Sequence, residues 1–413
     1  MSRRRDVILG SCAVAAVTAF AAVAAFALVQ QDLVAFWVAG RVCGLGLDPY
    51  VNHAVAGTVP PALWDGGVFH HSRFLYPPLA AELFRPLALL PYRAAKVVFT
   101  IAVVAAWLAA SLLLARGRPG AKTAILVAGA LAFPVWLNLE RGQIDLLLLP
   151  LIVLAWRVRD RALVAGALLA LAAVFKPALL GVVPVLAALG RWRWAGAVAA
   201  ACAVAALATV ALSGRALARE YAVSVLPRAV LYGEGGTDEM LYHERELERF
   251  DLDELGERQT ADGRSYLYTL PLFDRPVSAS LPRLLAPESP SWATSWLPYL
   301  IGAAGLAWAG ARLARRRPDG GDAELVLFGA ALVACVVASP TGWAMGLVWA
   351  LPLAPRAWAA PAEGPAPARA RWPLRAAWIA CALPPLFGGW AALAGTALVL
   401  AAVAAALARD ASA

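Results

Sequence analysis

Residues 7–29 read VILGSCAVAAVTAFAAVAAFALV and run directly into QQDLVAFW at 30–37. The first stretch carries no charge, and as a helix it is long enough to cross a hydrocarbon core, which takes about 20 apolar residues. Lipid offers the backbone no hydrogen-bond partner, so a crossing segment is a helix or part of a closed barrel. The in-and-out alternation of a barrel strand is absent here. Of 413 residues, 61 % are hydrophobic and 15 % charged, too little polar surface to coat a soluble globule of this size. The chain therefore reads as an all-α polytopic membrane protein. Arg3, Arg4 and Arg5 precede the run as in a signal peptide. The length of the run, about 23 residues, predicts an uncleaved first span.

Hydropathy places further spans at about 92–115, 122–139, 143–157, 161–175, 177–190, 194–213, 292–311, 322–338, 342–358, 374–390 and 391–408. The expected architecture is a bundle of about 10 to 12 transmembrane helices. With both termini cytoplasmic, the basic clusters at 3–5, 116–122, 157–161, 191–193, 312–317 and 356–375 all fall inside. The net charge of +9 is spent on these orienting clusters, so nucleic acid is not an expected partner. Heavy use of Ala, Arg and Gly suggests a bacterial genome and hence a plasma (inner) membrane location. Three regions are expected: a transmembrane module at 1–213, an acidic outer insert at 214–291, and C-terminal helices at 292–413. Residues 77–91, PPLAAELFRPLALLP, are too short and too charged to cross and predict an amphipathic helix in the outer interface.

This threading puts the unusual polar residues on one face: Asp32, Tyr76, Glu140, Arg141, Gln143, Asp145, Lys176 and Ser339. Asp32 is either an interfacial helix end or a general base whose partial desolvation favours proton abstraction from an alcohol. Lys176 lies between ALLALAAVF and PALLGVV, where it either snorkels at a turn or meets a phosphate leaving group. Arg141 has the same use, or pairs with Glu140 or Asp145. Tyr76 opens a stiff Pro-Pro turn and Arg73 lies beside it, so both are candidate donor contacts, as is Gln143 on the outer turn. Asp251-x-Asp253 and His70-His71 are the segments that resemble metal ligands, and neither sits in a convincing ligand set, so no divalent metal is expected. Cys12, Cys43, Cys202, Cys335 and Cys381 show no paired spacing, which argues against a disulfide framework or zinc site.

Five stretches, in order, resemble glycosyltransferase family 87: DLVAFWVAGRVCGLGLDPY at 32–50, FLYPPLAAELFRPLALLP at 74–91, LNLERGQIDLLLL at 137–149, ALLALAAVFKP at 167–177 and SPTGW at 339–343. The resemblance implies a C-type membrane transferase that moves mannose, or in some relatives arabinofuranose, from a polyprenyl phosphate to a lipid or glycan hydroxyl. It implies inversion at the anomeric carbon, Asp32 as catalytic base, a donor from the outer leaflet and no nucleotide sugar. The chain departs from the family at Ala344-Met345-Gly346, where relatives often carry histidines. It departs again at Ser278-Ala279-Ser280, where they often carry Asn-Gln-Ser, and at Asp145, where Asn is usual. A lipid or sugar transporter is the rival from another class, although transporters gather ionisable groups near the midplane of related halves. An inactive binder of lipid-linked sugars is the third reading.

Overall fold

The computed structural model describes residues 2–51, 74–118, 121–231, 257–259, 265–267, 278–286, 291–316, 321–358, 368–384 and 389–407. The fold is a helical bundle, as the composition requires. It begins with α1 (Ser2–Ala27), α2 (Gln31–Gly44), α3 (Pro78–Ala88), α4 (Tyr92–Ala115), α5 (Ala121–Ala130) and α6 (Phe133–Arg141). Next come α7 (Asp145–Arg157), α8 (Ala162–Phe175), α9 (Val182–Ala188), α10 (Trp192–Glu220) and α11 (Leu226–Leu231). A short antiparallel ladder, β1 (Glu257–Gln259) against β2 (Ser265–Leu267), interrupts the helices. The chain continues through α12 (Leu281–Leu285), α13 (Trp292–Arg316), α14 (Gly321–Val337), α15 (Ala354–Trp358), α16 (Ala368–Ala382) and α17 (Trp390–Leu407).

Among the described residues, four helical stretches are long and apolar enough to cross a membrane unaided: Arg4–Ala27, Tyr92–Ala115, Trp192–Val225 and Trp390–Leu407. The span expected at 122–139 is two helices, α5 and α6, bent by 57°. Pro134 sits in the first turn of α6, where it fits, and bars a continuous helix through Leu131 and Ala132. The span expected at 342–358 is a 3-10 segment over Ala344–Leu353 followed by the five residues of α15. The span expected at 177–190 is a 3-10 turn at Pro177–Gly181 followed by the seven residues of α9.

The amphipathic helix expected at 77–91 forms as α3, with Pro78 at its first position. It buries Leu79, Ala80, Ala81, Phe84 and Ala88, and pairs Glu82 with Arg85 at 3.6 Å on its other side. It packs on α2 closely enough that a Cβ on Gly40 would lie 2.9 Å from the Phe84 carbonyl carbon. Phe36 of α2 stacks on Phe84 at 4.6 Å and lies 4.5 Å from the Tyr76 ring.

Bonds near helix ends join the basic clusters at 3–5, 116–122, 157–161 and 191–193 to their neighbours. Thr123 donates to the Asp6 carbonyl, and Arg157 to that of Arg116. Arg191 forms a bidentate pair with buried Glu324, at 2.8 and 3.1 Å, and reaches Asp160 at 3.5 Å. Glu324→Gln leaves Arg191 only the longer contact with exposed Asp160, and because Arg191 is partly exposed the expected loss is about 1–3 kcal/mol. Thermal unfolding in detergent should show a lower midpoint, with transfer per folded molecule unchanged because this cluster lies at the end opposite Asp32.

Candidate active site

The apolar run of α1 ends at a buried junction. Gln30 adopts a left-handed conformation (φ 57°) that stops the helix and turns the chain into α2. A helix end leaves carbonyls without intrahelical donors. Here α4 supplies them: Lys96 Nζ donates to the Leu28 carbonyl at 2.6 Å, and the Tyr92 hydroxyl to those of Val29 and Gln30. The Gln30 amide in turn donates to the Thr100 hydroxyl at 3.1 Å and the Leu139 carbonyl at 2.8 Å. Asp32, in the first turn of α2, is 9 % exposed. It is a buried carboxylate held by a built junction and not a frayed helix end.

The stretch NLERGQID at 138–145 faces it. Gly142 caps α6 in the left-handed region (φ 69°), as helix C-termini prefer. Asn138 ties the turn together: its carbonyl accepts from Gln143 N, its side-chain oxygen from Leu146 N, and its amide donates to Met345 O. This frame aims Gln143 Nε2 at Asp32 Oδ2, 3.1 Å away. Gln143 Oε1 accepts from Ile144 N at 3.2 Å and more distantly from the Tyr76 hydroxyl at 3.5 Å. Lys176, at the end of α8, places its ammonium 5.5 Å from the Tyr76 ring centre and 3.4 Å from Asp145 Oδ2. Tyr50 braces the far side, donating to the Tyr76 carbonyl at 2.8 Å. Burial pushes the Tyr50 phenol well above its usual range, so it stays a neutral donor.

Asp32, Gln143, Tyr76 and Lys176 therefore come together in one continuous set of contacts. Arg141 turns instead to Glu140, at 3.1 Å. Arg73, Asp251, Asp253, His70 and His71 lie outside the described residues.

Residues 74–241 match glycosyltransferase family 87. The match covers 168 of the 413 residues, and over that stretch the chain is similar to the family. No curated protein and no solved structure matches the chain. The match and the apolar helices together support a multi-pass membrane glycosyltransferase, an enzyme that uses a sugar donor and an acceptor at the membrane. The family match covers Tyr76, Gln143 and Lys176 but begins after Asp32, which the Gln143 bond joins to it.

Outside the matched stretch, the chain adds a second frame. The Ser339-Pro340-Thr341-Gly342-Trp343 turn, after α14, pairs with Ser278-Ala279-Ser280: Ser278 bridges Trp343, and Ala279 N donates to the Gly342 carbonyl. Ser280 caps α12 by accepting from Arg283 N. Buried Arg283 donates to the Pro340 carbonyl at 2.6 Å, with its guanidinium 4.7 Å from the Trp343 ring centre. The turn feeds the 3-10 segment, whose Trp349 donates to the Asp145 carbonyl. Sequence reasoning missed Gln30, Tyr92, Lys96 and Arg283. A cation inside an apolar run drew attention to Lys176, and the same signal, in AAKVVFTIAV, marks Lys96.

Gly142 carries a sharp test of this packing. An added Cβ would meet Leu33 Cβ at 2.7 Å and Gln30 Cβ at 2.9 Å. The left-handed backbone itself costs a non-glycine residue about 1–2 kcal/mol. Gly117→Ala is the control, since it has a similar φ of 79° and nothing within 4 Å among the described residues. Both variants should lower the unfolding midpoint, and only Gly142→Ala should also reduce transfer, by moving the start of α2.

Proposed function

We propose that this glycosyltransferase moves a hexosyl residue, mannosyl in the first instance, from a polyprenyl phosphate to a lipid or glycan hydroxyl with inversion at the anomeric carbon. The observation that carries the reading is the buried carboxylate of Asp32 linked through Gln143 and Tyr76 to the ammonium of Lys176. Inverting transfer needs those two groups. Asp32 takes the proton of the acceptor hydroxyl as its oxygen bonds to C1. The C1–O bond to phosphate breaks, and its electron pair goes to the phosphate oxygen. Lys176 meets that charge in a site of low dielectric. Gln143 orients the carboxylate, and Tyr76 walls the space between base and cation. Arg141 is too engaged with Glu140 to be the principal phosphate group in this conformation. Side-chain cations meet the phosphate charge in this scheme, so it calls for neither a nucleotide sugar nor a divalent metal.

The positive-inside rule supports an orientation in which the basic end is cytoplasmic and the Asp32 end faces the outer leaflet of a bacterial plasma membrane. The polyprenyl tail would then lie among the helices at that end. The test is a donor assay with the full chain in nanodiscs and a total lipid and glycan extract as acceptor. Polyprenyl-phosphate-mannose should be consumed and an inverted product should accumulate. Transfer from the arabinofuranosyl donor alone would reassign the sugar. No transfer from either donor would overturn the reading.

A further inference from the structure

Asp145 opens α7, is 1 % exposed, and among the described residues its carboxylate has Lys176 as its facing cation and takes no well-aligned hydrogen bond. Its ion pair with Lys176, at 3.4 Å, is longer than the roughly 2.7–2.9 Å of a charge-assisted hydrogen bond. The two partners are unequally enclosed, since the Lys176 side chain keeps 18 % of its surface open while Asp145 keeps 1 %. Lys176 is thus the more open partner of the pair, and Asp145 the enclosed one.

We propose that Asp145 is a positioning residue that competes with lipid phosphate for the Lys176 ammonium and so sets how readily the phosphate product leaves. The inference rests on the polyprenyl-phosphate reading above. The donor is a phosphodiester with one negative charge. The released polyprenyl phosphate is a monoester carrying about −1.5 to −2 at neutral pH. It is drawn more strongly to Lys176 than the donor is, and repelled more strongly by Asp145. Compared with a neutral residue at this position, Asp145 therefore weakens the hold of Lys176 on the product, which a site must release to turn over.

The experiment titrates polyprenyl phosphate into the full chain in nanodiscs, alongside transfer kinetics. Asp145→Asn is expected to bind polyprenyl phosphate about tenfold tighter, the scale of one charge-assisted hydrogen bond. The donor KM should fall less, and kcat should drop as product release slows. Asp145→Glu, which keeps the charge, should stay near wild type. Equal product affinity in wild type and Asp145→Asn, or tightening by Asp145→Glu as well, overturns the proposal. Wild type that binds no polyprenyl phosphate overturns the donor reading beneath it. Should Asp145→Asn fail to fold around an uncompensated Lys176, the double variant Asp145→Asn with Lys176→Gln removes both charges. It should fold and bind the product more weakly than wild type, and wild-type affinity would overturn the assignment.

Discussion

Asp32→Asn should cut sugar transfer by about 10²- to 10⁴-fold, the usual contribution of a general base, while leaving the protein folded. The two side chains are nearly isosteric. Gln143 Nε2 donates to an oxygen at position 32, and an asparagine carbonyl accepts that bond as a carboxylate does. What disappears is the capacity to take a proton. Donor binding and the unfolding midpoint should stay close to wild type, so loss of turnover alone is the signature of the base. If Asp32→Asn transfers sugar at the wild-type rate, Asp32 is an architectural residue and the acceptor proton goes elsewhere.

Lys176→Gln should lower kcat/KM by about 10²- to 10³-fold, the scale on which removing one preorganised donor to a developing anion acts. This variant carries a second penalty. Asp145 is buried with Lys176 as its ion-pair partner, and breaking a buried pair from one side costs about 3–5 kcal/mol. Stability and catalysis have to be read apart. Adding Asp145→Asn to Lys176→Gln removes the orphaned charge and should restore much of the midpoint without restoring transfer. Lys176→Arg, which keeps a cation, should retain more activity than Lys176→Gln. Full activity in the double variant would show that Lys176 serves folding only.

The sequence makes the membrane class plain, because 61 % apolar residues leave no other solvent for this surface. It also exposes Asp32, Tyr76, Gln143 and Lys176 as a group, since polar residues at the ends of apolar runs stand out once the basic loops fix a topology. What it hides are the interruptions. Pro134 is visible at 134, yet a hydropathy window averages across it and returns one span where the chain makes a sharp bend. The 3-10 path of 344–353 has the composition of a helix, and only its packing against α6, α7 and α14 distinguishes it. The α1–α2 junction depends on Tyr92 and Lys96, more than sixty residues away, and no local pattern announces that. Arg141 had two acidic neighbours in reach, and the Gly142 turn decided between them by carrying Asp145 over to Lys176.

The contact of α3 with α2 has a mechanical side. At Gly40 and Phe84 the two helices meet backbone to side chain-free backbone, with no layer of flexible atoms to absorb a shift. Leu83, on the other side of α3, and Leu89 and Leu90 just beyond its end are exposed. Lateral pressure applied to this apolar edge passes into α2 as a rigid displacement, and Asp32 rides on the first turn of that helix. The Asp32 carboxylate is thereby geared to the packing of the surrounding lipid, and the bilayer becomes one of the parts that hold this junction in register.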